Sequence, residues 1–367
     1  MKRILVLNNY DLKVTTQEVV QNHKPDHHLY GVNRLIDHGY DCSLSPFRQY
    51  TLLNKLDLLL RKIRFPIPLG DLDQQFSAWL NRKSIDLIYA PCQTQTQLLS
   101  YLRAIGLFKV PIVNICHHAL ERKGRLNVLR KPFLKLQLRG TDAFPTINRV
   151  CMREIAALAH GSCRSGFLRW GPDLSFYHVA EGSGNGYIAA GRTGRDFVTF
   201  GRAATKEGTT ATILCLTADV QPEFDEFGRN VTVKSFEAES CVTYPELVRI
   251  FASSRALAIP MYRGESLCGL TSLTDALGVG KPVIMTRNRG IELDIEAEKI
   301  GFWVDPEDVV GWMTAMRWFE ANPEKAISMG KRARQIAESE WNSQSFADQI
   351  ARIFEMIFSA MPACESR

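Results

Sequence analysis

ALAIPMYRGESLCGLTSLTDALGVGKPVIMT, residues 256–286, runs through a short apolar stretch, a Gly-containing loop, a helical pattern, a Gly turn and a second apolar stretch. Two apolar runs joined by a helix read as one β-loop-α-β unit with parallel strands. In open sheets of this kind ligands sit at the carboxyl ends of the strands. A helix beginning at Leu270, Thr271 and Ser272 aims free backbone N–H groups and its positive dipole end into that crevice, which suits a diphosphate. Asp275 lies one turn further in, where its carboxylate reaches the vicinal hydroxyls of a ribose. Ser, Thr and Asp are also ordinary capping residues at a helix start, so the segment by itself leaves both readings open.

The alternation continues on both sides. Apolar runs at 187–190, 211–216, 231–234, 282–286 and 301–304 predict a parallel sheet around the opening unit, and runs at 3–9, 40–46, 85–90, 111–116 and 142–147 predict another before it. A loop is expected after the first run, then a helix on Leu29, Val32, Leu35 and Ile36, stopped at Gly39. Residues 162–185 are rich in Gly, Ser and Pro, which places a boundary near Gly184. The expected organisation is α/β with two Rossmann-like domains, 1–184 and 185–340. A terminal segment, 341–367, carries Phe346, Ile350, Ile353, Phe354 and Ile357 at helical spacing.

The chain has 367 residues and a formal charge of +6, but residues 1–170 hold 25 Lys/Arg against 12 Asp/Glu and the rest 20 against 27. The first half therefore suits an anionic partner. No run of roughly 18 apolar residues spans a bilayer, and the start, with Asn and Asp close behind MKRILVL, does not read as a signal peptide, so a cytosolic protein is expected. Nine scattered cysteines without a C-x-x-C pair read as reduced thiols. No metal site is expected, because no Asp-x-Asp run or ligand cluster is present.

Asp275-Ala276 stands five residues before Gly280-Lys281-Pro282-Val283-Ile284. In this the segment resembles the donor signature of glycosyltransferase family 4 and its retaining GT-B relatives. The resemblance implies that the acid binds the nucleotide ribose. The family usually has Glu there, so Asp275 is a shorter substitute. The family's second Glu, which contacts the donor sugar, falls on Leu267, so either Glu265 serves from a rearranged loop or the contact is dispensed with. Residues 187–204, YIAAGRTGRDFVTFGRAA, are similar to the family's first strand and loop of the donor domain, where Gly191, Arg192 and Arg195 match the phosphate-gripping positions. The physics agrees, since Gly admits a close approach and guanidinium groups bind phosphate oxygens in pairs. Residues 167–177 resemble the family's hinge, with no chemistry assigned to Asp173, and 329–350 its closing helices, the last crossing back to the first domain.

The first half matches more loosely. Gly31 falls on the family's glycine loop beneath the donor phosphates, and His117 on a histidine beside the transferred sugar, where a neutral ring hydrogen-bonds a hydroxyl or the leaving oxygen. A His pair at a strand end is equally a loop decoration. His27, His28 and His118 are assigned beside the acceptor. Residues 52–64 and 122–139 mix leucines with Lys and Arg. Such helices lie on an anionic membrane surface, or pack their apolar stripe on the sheet and leave the charges wet. Nucleic acid is disfavoured for want of a recognisable binding motif.

The resemblance implies transfer of a hexose-type sugar from a nucleoside diphosphate sugar, UDP or GDP favoured, to a saccharide, lipid-linked or small-molecule hydroxyl, with retention and without cofactor or metal. Arg192, Arg195 and the start of the helix at Thr271 would stabilise the leaving diphosphate. Lys281 reads as structural. The rivals are a nucleotide-sugar epimerase on the same fold, and a non-catalytic donor-binding or scaffold subunit favoured by the missing Glu. A phosphorylase lacks a pyridoxal signature, and a dehydrogenase lacks G-x-G-x-x-G after the first strand.

Overall fold

Short apolar runs bounded by Gly or Pro become buried parallel strands, because a strand covered on both faces can be apolar throughout. The structure is a computed structural model and describes residues 1–63, 65–120, 127–159, 161–179, 182–264 and 267–360. Contacts divide it into two units, one of Met1–Glu18, His28–Arg169 and Gln344–Arg367, the other of Val19–His27 and Trp170–Ser343.

In the first unit, β1 (Lys2–Val6), β2 (Tyr40–Leu44), β3 (Leu87–Ala90) and β4 (Ile112–Asn114) form a parallel sheet in the order β2-β1-β3-β4. The helices are α1 (Leu12–Val20), which runs on into the second unit's Val19–His27 segment, α2 (Thr51–Lys62), α3 (Leu72–Leu80), α4 (Gln97–Ala104), α5 (Asn127–Arg139) and α6 (Arg149–Ala159). Leu5, Leu7, Ile88, Leu99, Phe108 and Ile112 share one core. Three expectations are corrected here. α1 stands where a loop was expected. Residues 142–147 join β4 and residues 164–167 only through isolated parallel bridges, since Pro145 has no N–H for a continuous ladder. The helix expected across 29–36 is two 3₁₀ turns, Asp26–Leu29 and Leu35–His38, because Tyr30 (φ 50°) and Gly31 (φ 80°) turn left-handed between them.

The second unit holds β5 (Tyr187–Ala190), β6 (Ala211–Leu216), β7 (Val231–Phe236), β8 (Ala256–Ile259), β9 (Val283–Thr286) and β10 (Gly301–Val304), with helices α7 (Phe197–Glu207), α8 (Tyr244–Ser253), α9 (Leu270–Val279), α10 (Val309–Ala321) and α11 (Pro323–Ser339). All neighbours are parallel, in the order β10-β9-β8-β5-β6-β7. That is the doubly wound Rossmann order, and its reversal point lies between β5 and β8. Residues 170–184 belong to this unit rather than to the stretch before it: Asp173 accepts from the Asp26 N–H at 3.1 Å, and the ring of Tyr177 lies where a Cβ on Gly278 would sit.

The last helix, α12 (Ser343–Ala360), begins at the unit boundary and packs on the first sheet, with Phe354 edge-on to Tyr40 at 5.2 Å and to Tyr89 at 5.5 Å.

Candidate functional site

The loops after β5 and β8 meet at the reversal point of the second sheet. Arg195, just before α7, is half-buried and turns its guanidinium back: Nε donates to the Ala190 carbonyl at 3.1 Å, Nη1 to Thr193 O at 3.2 Å and Nη2 to the Ser272 hydroxyl at 3.0 Å. No carboxylate among the described residues pairs with it, and burial pushes its pKa down. Gly191 is needed for this arrangement. Its φ is 146°, and a Cβ there would stand 2.3 Å from Arg195 Nε. The close approach that the sequence assigned to a phosphate is thus made, in this structure, by the guanidinium itself. Arg192 is exposed, and its Nη2 donates to Cys241 Sγ at 2.6 Å.

The N-cap of α9 is Gly269, with φ 91° and no side chain to cap the helix. Capping therefore does not explain Thr271 and Ser272: Thr271 is exposed, and the Ser272 hydroxyl is turned to Arg195. Leu270 departs from the sequence reading, because its side chain is buried and its N–H donates to Leu267 O at 3.1 Å, so that N–H is not free for a ligand.

Asp275 is buried on α9. Its Oδ1 accepts from Tyr177 Oη at 2.5 Å and Tyr244 Oη at 2.8 Å, and Oδ2 has no partner among the described residues. Burial raises its pKa to about 6, against the lowering effect of the two hydroxyls and of Arg195. Tyr177 and Tyr244 were missed from sequence. Lys281 is buried and donates to Gly182 O at 3.1 Å, and desolvation pulls its pKa down to about 8, in keeping with a structural role. Glu265 lies outside the described residues.

His27 also belongs to the second unit and corrects its sequence assignment. It is 1% exposed, edge-on to Trp170 at 4.9 Å, and burial lowers its pKa to about 3. A ring enclosed in this way packs the unit and presents nothing to an acceptor. In the first unit, a Cβ on Gly31 would stand 3.1 Å from Cα and Cβ of Ala347, so the glycine has a packing role in seating α12. His28 is half-buried, with its carbonyl accepting from Tyr10 Oη at 2.5 Å, and His118 is exposed.

His117 is held firmly. Gln93 Oε1 accepts from its backbone N–H at 2.6 Å, and Asn148 Nδ2 donates to its carbonyl at 3.1 Å. Its Nε2 bonds the Pro91 carbonyl at 2.5 Å, and since a carbonyl only accepts, Nε2 carries the proton. Burial lowers the pKa to about 4, so the ring is neutral and Nδ1 is left as an acceptor. It can take a hydrogen bond from a hydroxyl but cannot donate one from Nδ1 to a leaving oxygen, which narrows the sequence reading.

Among the described residues no group of three or more His, Cys, Asp and Glu is placed to hold a metal ion, and no helix is long and apolar enough to cross a membrane. None of the eight described cysteines forms a disulfide.

Residues 240–336 match the family described as Glycosyl transferases group 1. The D-inositol 3-phosphate glycosyltransferase of Corynebacterium jeikeium is 30% identical over 110 residues, 30% of this chain and 25% of that protein. Its counterpart in Corynebacterium kroppenstedtii is 28% identical over 134 residues, 36% of this chain and 29% of that one. The chain thus spans about a quarter of the length of the curated relatives it matches. Solved structures align over nearly the whole chain: sucrose-phosphate synthase from Thermosynechococcus elongatus (TM-score 0.69, 13% identity, 98% of this chain and 100% of that one) and Anabaena HepE in complex with UDP (0.63, 15%, 97% and 100%). At these identities the likeness speaks for the fold. The chain has the GT-B arrangement of two parallel-sheet α/β domains, and its residues 240–336 carry the group 1 glycosyltransferase pattern.

Proposed function

We propose that the protein is a retaining glycosyltransferase of the family 4 type that takes a hexose-type sugar from a nucleoside diphosphate sugar and passes it to a hydroxyl. The observation that carries this reading is Arg195, a half-buried cation with no carboxylate partner, fixed beside an uncapped helix start at the reversal point of a Rossmann sheet. A cation desolvated without a counter-ion is costly unless an anion completes it, and a diphosphate fits both the guanidinium and the helix N–H groups. In the transfer the anomeric carbon–oxygen bond to the diphosphate breaks, the acceptor oxygen bonds to that carbon and its proton passes to the leaving phosphate oxygen, while Arg195 with the N–H groups of Thr271 and Ser272 stabilises the charge that grows there. Arg192 joins them by leaving Cys241. Asp275 offers Oδ2 to a ribose hydroxyl, and His117 Nδ1 accepts from a sugar hydroxyl. No metal takes part in this scheme. HepE, of the same fold, has been solved with UDP and with UDP-glucose, which supports UDP as the first nucleotide to try. The acceptor class remains a saccharide, lipid-linked or small-molecule hydroxyl.

The second reading, a donor-binding subunit without transferase activity, is favoured by Leu267 at the family's Glu position and by the occupation of Asp275 Oδ1 by two tyrosines. Thermal stabilisation by UDP, GDP, ADP and dTDP, with wild type and Arg195→Met, tests both. Ligand at 100 times its dissociation constant adds about 2.7 kcal/mol. A shift with one nucleotide, lost in the variant, supports the donor site, and release of that nucleotide from its sugar conjugate with acceptor present separates transferase from subunit. No shift with any of the four, in folded protein, removes the reading.

A further inference from the structure

α2 is tied down at both ends yet buries none of its residues. Its N-cap, Tyr50, donates its N–H to Asp73, a carboxylate buried on α3 that also accepts from Gln49 N at 2.9 Å. Beyond its far end, Arg130 of α5 donates to the Pro66 carbonyl at 3.3 Å. Leu53, Asn54, Asp57 and Leu60 form the half-buried inner face. The outer face carries Leu52 (82% exposed), Leu58 (67%), Leu59 (53%) and Ile63 (59%), with exposed Lys55 and Lys62 among them and no acid. An ordinary surface helix points its leucines inward. α5 does so over its last two turns, with Leu138 buried, Leu134 and Leu136 half-buried and Lys131, Lys135 and Arg139 exposed, and leaves Leu129 exposed near its start. α2 is therefore inverted, and a cluster of exposed leucines on an anchored helix marks an interaction surface.

We propose that this face of α2 docks on an anionic lipid bilayer, the leucines entering the acyl boundary while Lys55 and Lys62 reach back to the headgroups. Charge complementarity favours lipid over protein. Lysines in the middle of the apolar face would be desolvated in a protein interface, where they are depleted, but their long stems let the ammonium groups lie at headgroup level. A second copy docking through the same face would set lysines against lysines. The surrounding half of the chain adds its surplus of Lys and Arg. This inference is independent of the donor chemistry, and vesicle binding can succeed or fail whatever the nucleotide panel shows.

The test is sedimentation of the full chain with vesicles of phosphatidylcholine alone and with about one third phosphatidylglycerol added, at low and high salt. Binding to the mixed vesicles, reduced by salt, is expected. Lys55→Glu with Lys62→Glu should weaken it at least about 25-fold, at about five-fold per basic residue near an anionic surface. Leu52→Ser with Leu59→Ser should abolish it, while circular dichroism stays unchanged because neither side chain is buried. Wild type that ignores anionic vesicles overturns the proposal, as does binding that neither variant alters. So does a dimer by light scattering that the leucine variant dissolves, in a protein that no vesicle retains.

Discussion

Asp275 should make the second unit less stable as the pH rises, and Asp275→Asn should remove that dependence. The carboxyl is buried and its pKa stands at about 6 in the folded protein, above the ordinary aspartate value of 3.8. A carboxyl with a raised folded pKa binds more protons folded than unfolded between those values, so stability falls from about pH 4 to about pH 6 and then stays level. Linkage over that shift gives about 2.5 kcal/mol lost between pH 4 and pH 8. The asparagine keeps an oxygen for Tyr177 and Tyr244 but has nothing to ionise. Its amide N–H groups add a cost of their own, yet that cost is the same at every pH. The quantity to measure is therefore the difference between variant and wild type in urea unfolding at a series of pH values, following the second unit's transition. It should move in the variant's favour by about 2.5 kcal/mol from pH 4 to pH 8, equivalent to roughly 5–10 °C in Tm for a unit of this size. A flat difference, or one that moves against the variant, would refute the claim that desolvation outweighs the two tyrosine hydroxyls.

Tyr244→Phe removes one donor from the same carboxylate, so it should cost about 1–3 kcal/mol at pH 8 and much less at pH 4, where the carboxyl is neutral; equal losses at both pH values would place the tyrosine's role elsewhere. Gly31→Ala should destabilise the first unit by about 1–3 kcal/mol through its left-handed φ and the approach of Ala347, and leave nucleotide affinity unchanged; a weakened affinity would restore the glycine to a ligand-facing role. His117→Ala should lower turnover about ten-fold, the equivalent of one hydrogen bond, and the wild-type rate should show no limb near pH 6.5, because the ring already titrates at about 4. A limb near 6.5 that disappears in the variant would contradict the neutral tautomer.

The second sheet was legible almost strand for strand. β5, β8 and β9 are short apolar runs buried on both faces, which leaves no periodicity to misread, while the edge strand β7 shows the alternation of a strand with one exposed face. The first unit was less transparent where long-range packing decides local shape. Nothing near Gly31 reveals that Ala347 will press on it, so the pattern of Leu29, Val32 and Leu35 suggested a helix that Tyr30 and Gly31 interrupt. The site divides in the same way. Gly191 and Arg195 lie in the loop after β5, and Ser272 and Asp275 on the first turns of α9, in segments whose spacing carries a signal. Tyr177 and Tyr244 stand 98 and 31 residues from the carboxylate they hold, in segments with no pattern directed at it. The stretches at 52–64 and 122–139 looked alike in sequence, and only accessibility separates them: α5 buries Leu138 and half-buries Leu134 and Leu136, whereas α2 buries no leucine and exposes Leu52, Leu56, Leu58 and Leu59.

Arg195 and Asp275 also bear on each other. They are opposite charges on two sides of one helix start, both poorly solvated, yet they form no ion pair; each is held by neutral oxygens, the cation by Ser272 Oγ and two carbonyls, the anion by two phenols. Neutral oxygens replace only part of the hydration each charge loses, so both charges carry a desolvation cost. Keeping them apart leaves a positive pole at the mouth of the β5 and β8 loops and a negative pole one turn down α9. On the function proposed above, a ligand that meets both would carry negative charge at one end and hydroxyl donors at the other, as a diphosphate joined to a ribose does. The pH dependence expected of Asp275 and the guanidinium of Arg195 without a carboxylate partner would then be two consequences of one arrangement, in which the proposed ligand supplies what the folded unit leaves unpaired.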